Sequence, residues 1–353
     1  MKKFVCREFG PPSSLQEIEL PLPSPKPHEL RVEIDAAGIG FVDGLMIQGL
    51  YQVKPPLPYF PGSEFSGVIT AIGNNERIVD DDAASDSAEL ADATATDFHN
   101  NNSQNSGFSL GDRVFGLSNA GTLGDVTCAP KSQCYKTPDS MGNAIAAGWY
   151  INYLTALYGL RICGDLQEGE TVLILGAAGG VGSAAIAVAK AMGAQVIAAA
   201  ASEAKRSYAM ANGADEVIDY SQNDWRTELK RLTKTSGLDM VYDPVGGDAT
   251  ETALRSLSPD GRLLVVGFAS GTIPKVPLNL ALLKRCSIVG VDWGGDSRAN
   301  PELNIPLMHT LLDWYSQGRL KPAAVTERKL SDAREALADQ LAGNIIGKLV
   351  LTR

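Results

Sequence analysis

Residues Leu173–Ala185 read LILGAAGGVGSAA. An apolar strand runs into a glycine cluster and then into small residues that favour a helix. Such a turn lets backbone approach a pyrophosphate. The helix behind it offers free N–H groups and a positive dipole end. Gly179 and Gly180, with Ala178 and Val181 beside them, leave room for phosphates, and Gly182 lets the helix pack closely on the strand. The match to GxGxxG is imperfect, because Ala177 stands at the first glycine position. A lone glycine cluster could be a structural tight turn; this one has a strand before it and a helix after it, within repeated βα units, and reads as a dinucleotide site.

Those repeats begin at about Ala146. TVLILG, AQVIAAA, EVIDY, DMVYD, RLLVVG and SIVGV alternate with the helical segments SAAIAVAKAM, EAKRSYAMANG, WRTELKRLTK and ATETALRSL. This is the pattern of an α/β doubly wound parallel sheet. The first third instead holds short β runs separated by proline and glycine turns: LRVEIDAAGI, SGVITAIG, DRVFGL and GDVTCAP. It reads as an irregular, barrel-like β domain. The tail, from about Lys321, ends in GKLVLTR and is expected to pair back onto that domain. Residues 1–145 and 320–353 are thus assigned to a β-barrel domain, and 146–319 to a Rossmann dinucleotide-binding domain. The acidic, polar stretch 74–107 shows no sustained periodicity and reads as a flexible surface insertion. Its alternative role is acidic docking, but long surface insertions cost little and need no function.

The chain has 353 residues and a net charge of −10. No basic field exists to neutralise phosphates, so a general nucleic-acid partner is not expected. Cys6, Cys128, Cys134, Cys163 and Cys286 are scattered singly, which fits a reducing compartment. MKKFVCREFGPP carries no apolar run behind its lysines, and strand-like sequence follows at once, so neither a secretory signal nor a transit peptide is expected. No apolar run approaches the ~18 residues of a membrane span. The expectation is a cytoplasmic enzyme with no membrane partner.

The second strand of the α/β region, QVIAAAAS, bears on the choice of cofactor. An NAD site places a carboxylate near its end, where this chain has Ala199, Ala200 and Ala201. Ser202, Lys205 and Arg206 follow, able to hold a 2′-phosphate by charge-assisted hydrogen bonds. Glu203 is a contrary sign that fits the first turn of a helix, and Lys205 and Arg206 also fit an ordinary solvated helix face. The expected cofactor is NADPH.

Taken together, AAGIGFVDGLMIQGLY (36–51), PPLPYFPGSEFSGVITAIG (55–73), GDRVFGL (111–117), GAAGGVGSAAIAVAKAMGAQVI (176–197), DPVGGD (243–248), GRLLVVGFASGTIP (261–274) and the terminal GKLVLTR resemble the medium-chain dehydrogenase/reductase superfamily. Within it the likeness is to the zinc-free quinone oxidoreductases, which include the zeta-crystallins. The resemblance implies a split GroES-like catalytic domain, a Rossmann domain between its parts, a cofactor in the cleft, and a homodimer or homotetramer joined through the cofactor domain.

Zinc-dependent relatives carry a cysteine and a histidine where this chain has Gly40 and Ser63, and they have a four-cysteine lobe that is absent here. His28, His99 and His309 lie far apart in sequence, and no set of three convergent ligands is evident. Simple alcohol oxidation is therefore not expected. Reduction of a quinone or an α,β-unsaturated carbonyl fits better. By resemblance, Thr155 faces the nicotinamide side of the cleft, unless it bonds back within its helix. Gly246, Gly267, Phe268 and Ser270 border the cofactor. Tyr220 lines the adenosine phosphate, unless it is merely buried at a strand end. Trp293 reads as core, with a place near the cofactor or at the subunit boundary as the alternative. Family members have asparagine at Gly40 and often tyrosine at Leu45, so the pocket is expected to be larger and less polar. Tyr51 remains as the candidate donor to a substrate carbonyl, with water the alternative acid. Asp43 reads as structural. Two other functions stay open: an enoyl-thioester reductase and a non-catalytic NADPH-binding protein.

Overall fold

The computed structural model describes residues 1–73, 107–234 and 237–353. The expected insertion, apart from Gly107, lies outside the described residues.

The chain opens with an antiparallel ribbon of β1 (Lys2–Val5) and β2 (Gln16–Glu19). β3 (Glu29–Ile39) follows. Its Leu30, Val32 and Ile34 are buried while Arg31 and Glu33 alternate outward, the period of a strand with one solvated face. From Ala36 the strand is buried on both faces, because a later helix lies across it. A Cβ on Gly38 would come within 2.2 Å of the Ala147 carbonyl of that helix. Next come α1 (Phe41–Ile47), β4 (Glu64–Ile72), β5 (Arg113–Leu117), β6 (Val126–Pro130), β7 (Cys134–Lys136) and the covering helix α2 (Asn143–Ala147).

α3 (Tyr150–Leu157) leads into the alternating half: β8 (Thr171–Ile174), α4 (Gly180–Ala191), β9 (Gln195–Ala199), α5 (Glu203–Ala211), β10 (Glu216–Ile218), α6 (Trp225–Leu232), β11 (Met240–Asp243), α7 (Asp248–Leu254), β12 (Arg262–Val265), α8 (Asn279–Lys284) and β13 (Ser287–Gly290). The strands form a parallel sheet in the order β10-β9-β8-β11-β12-β13. The order reverses between β8 and β11, where open α/β sheets leave a crevice at the strands' carboxyl ends. The centre of the sheet is buried on both faces. Val172 and Ile174 join one core, and Leu173 and Leu175 join the other.

After α9 (Trp293–Ala299) and α10 (Asn304–Ser316) the chain returns to the β domain as β14 (Val325–Lys329), α11 (Ala333–Leu341) and β15 (Lys348–Thr352). β15 pairs antiparallel with β3, as the sequence led one to expect, and sits between β3 and β14 in a seven-stranded sheet. One core runs through the junction of the two halves. Phe115 and Tyr135 pack with α3 and α4, and Trp149 stacks on Tyr153 with ring centroids 4.2 Å apart. No helix among the described residues is long and apolar enough to cross a membrane.

Candidate active site

The glycine turn lies at the carboxyl end of β8. Gly176 adopts φ +59°, so the tight turn is made by the residue before Ala177, and alanine suffices at the next position. Gly182 behaves as expected: a Cβ there would lie 2.3 Å from the Gly176 carbonyl. Gly180 carries a second constraint, because its Cβ would lie 2.9 Å from Nδ2 of Asn152 on α3. Gly179, the N-cap of α4, is exposed, and a Cβ there would meet only the Gly176 carbonyl at 3.4 Å. The amides of Gly180, Val181 and Gly182 find no acceptor among the described residues. The Ala178 carbonyl is already used, accepting from the Gly347 amide at 2.7 Å. The turn therefore offers an open backbone surface with three unpaired donors at a helix N-terminus, a fit for a pyrophosphate.

Beside it, β9 ends in buried alanines and Ser202 caps α5 by accepting from the Lys205 amide at 3.4 Å. Glu203 lies in the first turn of that helix. The Lys205 ammonium reaches the Gly343 carbonyl of the C-terminal segment. Arg206 bonds the Ala200 carbonyl at 3.2 Å and pairs with Asp219 at 2.9 Å. Lys205 and Arg206 are therefore not a bare solvated face; both have protein partners that an anion would have to share. Tyr220, next to Asp219, is half-buried against the core under β9 and β10, and burial together with Asp243 and Asp219 holds its phenol above the ordinary range.

The loops after β11 and β12 meet over the same crevice. Asp243 is buried, with its two oxygens accepting from the Val245 and Gly246 amides (2.8 Å each) and the Thr250 hydroxyl (2.6 Å). Gly246 takes φ +72°, and a Cβ would strike the Phe268 ring at 2.9 Å. Gly267 abuts the Pro244 carbonyl, and Ser270 lies beside Gly247. Val245 packs over Gly176. The sequence-selected Gly246, Gly267, Phe268 and Ser270 thus gather with the glycine turn. Thr155 is half-buried on α3, and its hydroxyl makes no hydrogen bond among the described residues. Trp293 is a core residue, its indole N–H bonded to Asn304 at 2.9 Å.

On the barrel side, Asp43 accepts from the Gly40 amide at 2.7 Å and ties the start of α1. Burial pushes its carboxyl up to about 6, opposed by that amide and by Lys348 and reinforced by Glu64. Gly40 has φ −108°, and a Cβ there would meet nothing closer than Asp43 at 3.5 Å. The absent side chain leaves real space. Leu45 and Tyr51 are half-buried on and just after α1. Gly40 has no side chain to ligate a metal, and Ser63 offers only a hydroxyl. Among the described residues no group of three or more His, Cys, Asp or Glu is placed to hold a metal. These donors do not fit a catalytic zinc.

Asn152, Glu64, Gly347 and Lys348 escaped the sequence reading. Only Lys348, a charge leading an apolar run in GKLVLT, carried a signal.

Two family models match the chain: an alcohol dehydrogenase GroES-like domain over residues 26–139 and a zinc-binding dehydrogenase domain over 180–310. Quinone oxidoreductase-like protein 2 of Rattus norvegicus is 35% identical, over 99% of this chain and 91% of that one. Quinone oxidoreductase of Homo sapiens is 29% identical over 98% of this chain and 95% of its own length. The structure of Escherichia coli quinone oxidoreductase complexed with NADPH superposes with a TM-score of 0.83 at 26% identity, covering all of both chains.

Proposed function

Because this chain belongs to the quinone oxidoreductase family of the medium-chain dehydrogenases/reductases, we propose that it is an NADPH-dependent, zinc-independent reductase of quinones or α,β-unsaturated carbonyls. One observation carries the reading. The open glycine turn, with its amides unpaired among the described residues, lies beside a β9 end where Ala199, Ala200 and Ala201 replace a carboxylate, and Ser202, Lys205 and Arg206 follow, with Glu203 in the first turn of α5. NADPH, when bound, supplies the hydride.

The chain's own residues do the rest. The amides of Gly180, Val181 and Gly182 hold the pyrophosphate, and Ser202, Lys205 and Arg206 hold the 2′-phosphate. Tyr220 flanks the adenosine, while Gly246, Gly267, Phe268 and Ser270 border the cofactor. Thr155, whose hydroxyl has no bond among the described residues, orients the nicotinamide end. Tyr51 donates to the acceptor's carbonyl oxygen, and the space at Gly40 and Leu45 admits a bulky, weakly polar ring. Residues 1–145 with 320–353 supply the substrate side, and 146–319 the cofactor side. The protein works in the cytoplasm, consistent with its unpaired cysteines. It assembles as a homodimer or homotetramer through the exposed apolar face of α8 and β13, which presents Leu278, Leu282, Leu283 and Ile288.

Fluorescence titration with NADPH and NADH, followed by addition of a quinone and then an enone, tests the reading. Tighter binding of NADPH and its oxidation by either acceptor are expected. Preference for NADH removes the 2′-phosphate assignment. Tight NADPH binding with no oxidation across a broad acceptor panel makes this a binding protein, and a rate that grows with thioester chain length makes it an enoyl-thioester reductase.

A further inference from the structure

The glycine turn is met from outside by one hydrogen bond, from Gly347 to Ala178, and by the close approach of the Asn152 side chain to Gly180, and both lead back to one buried carboxylate. Glu64, at the start of β4, is 1% exposed. Its Oε1 accepts from the Ile151 amide at 2.8 Å, at the start of α3. The next residue, Asn152, is the one whose amide crowds Gly180. The Oε2 of Glu64 is paired with the ammonium of Lys348, which opens β15. Gly347, just before it, donates to Ala178. The contacts close into a ring around the N-terminus of α4: Glu64, Ile151–Asn152, Gly180, Ala178, Gly347–Lys348 and back to Glu64.

The ring is tightly built. Gly347 adopts φ +79°, where a Cβ would lie 2.5 Å from the Tyr208 hydroxyl. A Cβ on Gly148 would lie 2.8 Å from the stem of Lys348. Asp43, on the substrate-side helix α1, also feels both charges of the pair. A buried ion pair contributes little net stability, because desolvation offsets its attraction. Joining three elements at one point gives this pair another role.

We propose that Lys348 is a positioning residue: through Glu64 it sets the glycine turn against α3, and with it the place where the cofactor seats relative to the substrate loop. This rests on the reductase reading. The effect would reach turnover because misplacement of reacting groups by ~1 Å can cost about a hundredfold in rate.

The test uses the full-length protein and three variants: Lys348→Met, Lys348→Arg and the neutral pair Lys348→Met/Glu64→Gln. Lys348→Met should lower kcat/KM for NADPH by about a hundredfold, and Lys348→Arg should recover all but about threefold of it. The neutral pair strands no charge. It should melt within about 4 °C of wild type and still show the loss in kcat and KM. A folded neutral pair with wild-type kcat and KM overturns the proposal. Should that variant not fold, Lys348→Arg decides: an unchanged kcat/KM overturns, and a drop at unchanged Tm supports. If wild type binds NADPH but oxidises none, the reductase reading fails separately and NADPH affinity judges the ring, with a loss of about tenfold in the neutral pair supporting it and no change overturning it. If wild type binds no NADPH, both fall.

Discussion

The ammonium of Lys205 donates to the carbonyl of Gly343 across 2.9 Å, so the helix after the second strand of the parallel sheet is tied to the last stretch of the β domain. A side chain that already bridges the two halves is well placed to report an anion between them. Lys205→Met should weaken NADPH about tenfold and leave NADH unchanged, as expected for one charge-assisted bond. Paired fluorescence titrations decide it. Equal losses for both cofactors would make Lys205 a tether only.

Two glycines of the same turn separate folding from binding. Gly182→Ala forces a methyl into the Gly176 carbonyl and should destabilise by about 1–3 kcal/mol, read by urea melts. Gly179→Ala meets no such obstacle in the fold, so it should melt like wild type. It should nonetheless bind NADPH at least about tenfold more weakly, because the methyl lies where a phosphate must approach. Undiminished affinity would show that the phosphate does not lie over Gly179.

Asp43 gives a pH dependence with a defined sign. Burial raises its carboxyl from 3.8 to about 6 in the folded protein. Its favourable contribution is full below the unfolded value and is lost as pH rises through 6. Ionised Asp43 therefore makes the protein less stable at neutral pH than at mildly acid pH. Asp43→Asn can still accept from the Gly40 amide but cannot ionise. The Tm of the variant minus that of wild type should be larger at pH 7 than at pH 5. A constant difference would mean that Asp43 does not titrate there.

Gly40 is open in both backbone angle and space, so Gly40→Asn should change stability by no more than about 0.5 kcal/mol. The amide adds a polar group to the substrate side. Turnover with small quinones should rise, and turnover with bulky acceptors should fall, measured as kcat/KM over an acceptor series. A uniform change across the series would place residue 40 outside the acceptor pocket.

The exposed leucines of α8 predict the mode of association. Leu282 and Leu283 are 77% and 71% exposed in the single chain, and β13 beside them is a sheet edge. Such a face invites pairing. If the proposed oligomer forms through this face, Leu282→Glu together with Leu283→Glu should convert it to monomer in analytical ultracentrifugation. An unaltered sedimentation coefficient would move the interface elsewhere.

Much of the fold was legible because its signals are local. The runs around Val172, Val196 and Leu263 are short, apolar and bounded by helices, and each became a strand of the parallel sheet. The glycine turn announced itself through residues adjacent in sequence. The ring around it could not, because Glu64, Asn152 and Lys348 come from separate parts of the chain, and their meaning exists only once β15 lies beside β3. Arg206 shows the same limit: its basic charge was evident, but the partner Asp219 is supplied by the end of the neighbouring strand.

β15 lies between β3 and β14, with Leu349 beside Ile39, so strands from opposite ends of the chain share the middle of one sheet. β3 precedes the whole parallel sheet in chain order and β15 follows it, so during synthesis β3 waits for its neighbour while that sheet is made. The parallel sheet, whose strands follow one another, can assemble first and serve as the platform on which the β domain closes. Nascent chains stalled before Lys348 should therefore protect the cofactor half from protease while leaving the substrate half open to cleavage.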